Sequence, residues 1–157
     1  MKIATSAYPL STLDSWPQYE DKIAQWVAEA AGEKADLLVF PEYAAMELAT
    51  LDGLDVANDL EKSLFAVSNR MTEANALHLR LANEFGVHIL GGSAPVFDGH
   101  TRPFNRAYLF TPGGKVDFQD KQIMTRFERD TWGVASGGPL KIFETALGKI
   151  GPLISYD

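Results

Sequence analysis

The chain contains no cysteine. That removes disulfides, zinc–thiolate sites and thiol catalysis from the sequence as it stands. Histidine is scarce, with only His78, His88 and His100, and their positions show no metal-ligand spacing. No metal site is expected. Basic residues are in deficit, 14 Lys and Arg against 21 Asp and Glu, for a net charge of −7. A nucleic-acid footprint would need a basic face. An anionic membrane surface would repel this balance, so neither partner is expected. No apolar run approaches the ~20 residues that span a bilayer. The opening Met1-Lys-Ile-Ala-Thr-Ser-Ala-Tyr8 lacks the charged-then-apolar pattern of a secretory signal. A cytoplasmic enzyme is the simplest class.

What is present suits a packed core. The 157 residues are 46% apolar and 22% charged, ordinary for a globular protein and enough for one domain. Lys2 to Tyr8 reads as a first strand, ended by Pro9. Asp14 or Ser15 caps a helix, with Pro17 tolerated in its first turn. Ile23, Trp26, Val27 and Ala30 make its apolar face, and Gly32 its stop. Trp16 and Trp26 are read as helix core residues. Asp36-Leu-Leu-Val-Phe40 is a strand buried on both faces. Thr50 to Asn58 reads as loop. A helical region runs from about Asp59 to Phe85, with a possible break at Ser68-Asn-Arg70. Val87-His-Ile-Leu90 is the next buried strand. The texture then becomes strand-rich. Residues 105–111 and 115–118 flank the turn Pro112-Gly-Gly114. Residues 140–143 and 149–155 make a second pair around Gly148. The expected class is layered α/β with a mixed sheet, as one domain over 1–157.

Four residues stand out as chemistry. Pro41 forces the chain out of the ladder after a buried strand, so Glu42 lies at that strand's carboxyl end. That rim is where α/β sheets bind ligands. Partial burial there would lift a carboxylate toward a useful general base. Lys121 ends Asp117-Phe-Gln-Asp-Lys121, the close of a hairpin strand, and an amine there could stabilise an oxyanion. Glu128 lies in Arg126-Phe-Glu-Arg-Asp130, a mixed-charge loop or short helical turn. Ser155 follows the apolar Gly151-Pro-Leu-Ile154, read as a strand entering a core. Each has a plainer alternative: a loop glutamate, a solvated lysine, surface ion pairs and a structural serine. No histidine stands near Ser155 to act as its base, and no Gly-x-Ser-x-Gly elbow is present.

Taken together, Val39-Phe-Pro-Glu42, Lys121, Glu128 and Gly151-Pro-Leu-Ile-Ser-Tyr-Asp157 resemble the nitrilase superfamily, the carbon–nitrogen hydrolases. Gly91-Gly-Ser93, Phe104-Asn-Arg-Ala-Tyr108 and Thr111-Pro-Gly-Gly114 are also similar to family segments. The resemblance runs from Ile3 to Asp157. It implies a four-layer αββα sandwich, of which this chain supplies the first half to three-fifths. It also implies a Glu–Lys–Cys triad and no cofactor. Glu42 is then the general base and Lys121 the oxyanion stabiliser. Glu128 matches the second glutamate, which positions substrate and catalytic groups. Ser155 sits at the cysteine position, and the Tyr156 backbone N–H completes the oxyanion hole. Tyr43, Trp132 and Tyr156 are candidate pocket walls, with Phe127 beside them.

The implied reaction is hydrolysis of a small amide, with a nitrile as the alternative substrate. Homo-oligomers of the complete protein are expected. With oxygen in place of sulfur, the chain is expected to be inactive or nearly so. A deliberate substitution that traps substrate or prevents oxidation is the favoured account of Ser155. A natural pseudoenzyme that binds a ligand or partner is the other.

Overall fold

The computed structural model describes residues 1–157. Strands β1 (Ile3–Thr5), β2 (Leu37–Val39) and β3 (His88–Leu90) lie side by side and parallel. β4 (Ala94–Val96), β5 (Phe104–Phe110) and β6 (Val116–Asp120) complete a six-stranded sheet. β5 is long enough to pair antiparallel with both β3 and β4 on one edge, and with β6 on the other. β3 and β4 are therefore two halves of one strand, interrupted at Gly91-Gly-Ser93.

Helices cover one face. α1 (Trp16–Gly32) is capped by Ser15, whose Oγ accepts from Gln18 N–H, and it buries Tyr19, Ile23 and Val27. A 3₁₀ segment (Ala44–Asp52) and the short α2 (Leu54–Ala57) fill the stretch expected to be loop from Thr50 to Asn58. α3 (Lys62–Phe85) is continuous, so the expected break at 68–70 does not occur. The polar residues there have another use. Ser68 Oγ accepts from Phe97 N–H at 3.1 Å and ties the helix to the end of β4. α3 buries Leu64, Val67, Met71, Ala74, Leu77, His78 and Leu81 along one stripe and ends at Gly86, where φ is +64°. These faces join a core cluster of 24 buried residues. Each fully buried aliphatic there contributes roughly 1.5–3 kcal/mol. His78 belongs to this core, between Phe40 and Phe110 with its Nδ1 2.7 Å from Ala74 O. Burial lowers its pKa and keeps it neutral.

The opposite sheet face is different. There Leu37 and Leu109 pack against Phe143. Phe143 opens a separate two-stranded sheet of β7 (Phe143–Thr145) and β8 (Gly148–Ile150). The order is thus helix, sheet, second sheet. Two expected strands need correction. The second hairpin is shorter and begins later than residues 140–143. Residues 151–154 form no strand at all. Pro152 lacks an N–H for a ladder, no strand lies against the segment, and Leu153 is 60% exposed.

Along β5 and β6, Arg106 and Asp120 are direct cross-strand partners. Arg106 Nε and Nη2 reach the two Asp120 oxygens at 2.7 and 3.0 Å, and its guanidinium lies 3.7 Å from the Phe118 ring centroid. Both residues are buried. Side chains alternate across a strand, so this fork holds one face while Asn105 and Lys121 occupy the other. Arg106→Met strands a buried carboxylate. It is expected to cost about 3 kcal/mol in urea unfolding, with Arg106→Lys recovering only part because the fork is bidentate.

Candidate active site

Glu42 stands where the parallel strands end. Phe40 N–H makes the last ladder bond, to Leu90 O at 3.0 Å, and Pro41 turns the chain away. Tyr43 takes a left-handed conformation, with φ +57°, and donates its N–H to Ser93 Oγ at 2.9 Å. The turn sits close on the β3–β4 link. A Cβ at Gly92 would lie 2.4 Å from Ala44 Cβ and 3.1 Å from Pro41 O. Gly92→Ala is therefore expected to destabilise the protein by about 1–3 kcal/mol and to shift Glu42. Thermal unfolding with a crystal structure of the variant checks this.

Lys121 lies one residue past β6. Its N–H donates to Asn105 O, and its own carbonyl accepts from Gly137 N–H. Its side chain is completely buried, and its Nζ is 2.7 Å from Glu42 Oε1 and 2.8 Å from Glu128 Oε2. Glu128 is not the surface residue that its charged surroundings suggest. It opens α4 (Arg126–Asp130) in a capping box: Thr125 Oγ1 accepts from Glu128 N–H, and Glu128 Oε2 accepts from Thr125 N–H. The rest of its carboxylate receives Tyr43 OH at 2.7 Å and Asn105 Nδ2 at 3.0 Å on Oε1. Thr125 Oγ1 and Lys121 also donate to Oε2.

These contacts set the charges. Burial pushes the Glu128 carboxyl upward. The hydrogen bonds from Lys121, Tyr43, Thr125 and Asn105 outweigh it and hold the group at about 2. Burial would lower the Lys121 amine, but its two carboxylate partners raise it. Burial and the bond to Glu128 raise the Tyr43 phenol, which stays protonated. Glu128 is thus an ionised, saturated anchor. Glu42 differs from it. Its donors, Lys121 and Asn105, both bind Oε1, and Oε2 has no partner. It is the carboxylate with an oxygen free to take a proton.

The structure brings together Glu42, Lys121, Glu128 and Tyr43 by direct hydrogen bonds. Trp132 packs edge-on against Tyr43, with centroids 5.2 Å apart. Ser155 shares with Glu42 a cavity also lined by Val39, Leu90, Pro152 and Ile154. Ser155 is itself left-handed, with φ +53°. It sits in a turn after irregular chain, not on the expected strand end. The Tyr156 ring centroid is 5.9 Å from Lys121 Nζ, and the residue is largely exposed. Three participants escaped notice as site residues. Asn105 bridges both carboxylates. Asp157 Oδ1 accepts from Gln122 and Ile123 N–H at 2.8 and 3.0 Å, pinning the Ser155 turn beside Lys121. Thr125 had a readable signal, the Thr-x-x-Glu spacing of a helix start. No group of three or more His, Asp or Glu side chains is arranged to hold a metal ion. No helix is long and apolar enough to cross a membrane.

The chain matches the carbon–nitrogen hydrolase family over residues 2–157. It is 30% identical to the probable hydrolase YhcX of Bacillus subtilis, over all of this chain and 30% of that protein. It is 28% identical to nitrilase 3 of Arabidopsis thaliana, over 90% of this chain and 43% of the relative. The chain therefore spans less than half the length of these two curated relatives. Its fold is that of an amidase mutant from Nesterenkonia sp. AN1, solved with the acetamide moiety of fluoroacetamide added covalently at its active-site cysteine. The TM-score is 0.64 at 21% identity, over all of this chain and 56% of that one. This chain belongs to the carbon–nitrogen hydrolase family.

Proposed function

We propose that the chain carries the reacting groups of a small-molecule amidase whose nucleophile position is occupied by serine. The observation that carries this reading is the buried Lys121 held between Glu42 and Glu128, with Glu42 facing the cavity of Ser155. In the parent chemistry a thiol at position 155 gives its proton to Glu42 and attacks the amide carbonyl. The Lys121 ammonium and the Tyr156 N–H hold the oxyanion. The proton on Glu42 passes to the leaving amine, and an acyl-enzyme remains. Water, losing a proton to Glu42, releases the acid. No cofactor takes part. Glu128 orients Lys121 and Tyr43, while Tyr43, Trp132 and Tyr156 wall the substrate. The complete protein works as a homo-oligomer in the cytoplasm.

With Ser155 the first proton transfer is the obstacle, so the protein as it stands is inactive or nearly so. A nitrile is the alternative substrate, favoured by the nitrilase relative. The test is ammonia release from a panel of amides and nitriles by the full-length protein and its Ser155→Cys variant. Release by the variant alone supports the amidase or nitrilase reading, according to the substrate used. Silence of a folded variant across the panel favours a ligand-binding homologue. Hydrolysis by the unaltered protein that Ser155→Ala abolishes sinks the claim of inactivity.

A further inference from the structure

We propose that Asn105 is a positioning residue that makes Glu42, and not Glu128, the working base. The proposal rests on the amidase reading above. Asn105 is fully buried on β5. Its Nδ2 lies 3.0 Å from Glu42 Oε1 and 3.0 Å from Glu128 Oε1. Two carboxylate oxygens can face only the NH₂ end of the amide, so the geometry assigns the orientation of the group. Its Oδ1 is buried without a partner. Asparagine's acceptor is idle here and its donor is fully used, so the NH₂ is what the site requires of this residue.

The bridge has a directional effect. Two like charges brought this close would turn away from each other. Lys121 and Asn105 together hold them, and both bind the same oxygen of Glu42. Oε1 is thereby consumed and Oε2 left open. The side chain is 29% exposed, and Glu42 lines the cavity shared with Ser155. Glu128, with donors on both oxygens, has no such free face. Asn105 is itself held in place. Its carbonyl pairs with Lys121 N–H, and the next residue, Arg106, is bolted to Asp120 on the far face.

Asn105→Ala and Asn105→Asp, each made in the Ser155→Cys protein, test this. Loss of the donor should lower kcat about 10²-fold, the scale of a misplaced reacting group, with KM changed less than about threefold. Asn105→Asp adds a third carboxylate, which donates only when protonated. Its activity should therefore recover as pH falls, a response absent from Asn105→Ala. A purely structural asparagine would change both variants alike at every pH. Crystal structures of the same substitutions in the Ser155 protein supply a readout free of catalysis. The Glu42 carboxylate should leave its place beside Glu128. If Asn105→Ala does not fold, the nearly isosteric Asn105→Asp carries both measurements. An unmoved Glu42 in these crystals, or a pH profile equal to that of the parent, overturns the proposal. If Ser155→Cys alone is silent, the amidase reading fails, and the crystals still decide whether Asn105 straps Glu42.

Discussion

Lys121→Met is expected to cost about 3–5 kcal/mol of stability, the penalty for breaking a buried ion pair by removing one partner. The same change should abolish any hydrolysis by an otherwise competent protein. Lys121 is the single cation between Glu42 and Glu128, and no part of its side chain meets solvent. Methionine keeps most of the bulk, is one atom shorter, and leaves two carboxylates facing each other. The pH dependence identifies the cause. In the unaltered protein Glu128 is depressed from an ordinary 4.5 to about 2. Its stabilising share, about 3 kcal/mol for that shift, is present above roughly pH 4.5 and lost as pH falls toward 2. Lys121 is raised. Its share is present below its ordinary value and lost only as pH climbs through the raised one. The variant loses both limbs. Its stranded carboxylates are relieved by protonation, so its deficit should shrink as pH falls. Urea unfolding of both proteins at about pH 4 and pH 7 measures this. An equal deficit at the two values would mean that the loss comes from packing and not from charge.

The parts of this site that periodicity and punctuation control were legible in the sequence. Pro41 after an apolar strand placed Glu42 at the sheet rim, and the turn at 112–114 placed Lys121 at the end of a hairpin. Local sequence misleads where a residue's neighbours in sequence differ from its neighbours in space. Glu128 sits among Arg126, Arg129 and Asp130, all at the surface, yet points inward because a capping box sets the first turn of α4. Asn105 reads as one polar position in a strand. Its importance comes from Glu42 and Glu128, which are 63 and 23 residues away. Residues 151–154 are apolar and looked like a strand. A strand needs a partner ladder as well as an apolar pattern, and here none adjoins them. The possible helix break at 68–70 was a reading of polarity alone, and the contact from Ser68 to Phe97 explains the polarity within one helix.

Ser155→Cys should raise the rate of amide hydrolysis on the order of 10²–10⁴-fold, the range that a matched proton-transfer partner supplies. What Glu42 can accept decides the size of this gain. A thiol titrates near ~8.5, within reach of a carboxylate base next to a raised lysine. A serine hydroxyl is far less acidic and gives Glu42 almost no drive. In the proposed mechanism Lys121 favours an anion at position 155. The Lys121 ammonium is buried and stays charged through neutral pH, and the Ser155 turn is fastened beside it by Asp157. In the proposed mechanism oxygen blocks only the first step and leaves the groups that hold the oxyanion unchanged. The gain should therefore appear in kcat, with KM nearly constant, since the substrate walls proposed above, Tyr43, Trp132 and Tyr156, are untouched. In the variant, Glu42→Gln should return the rate to the background of the Ser155 protein, because the thiol then has no base. A variant that gains activity equally with Gln at position 42 would take the general-base role away from Glu42.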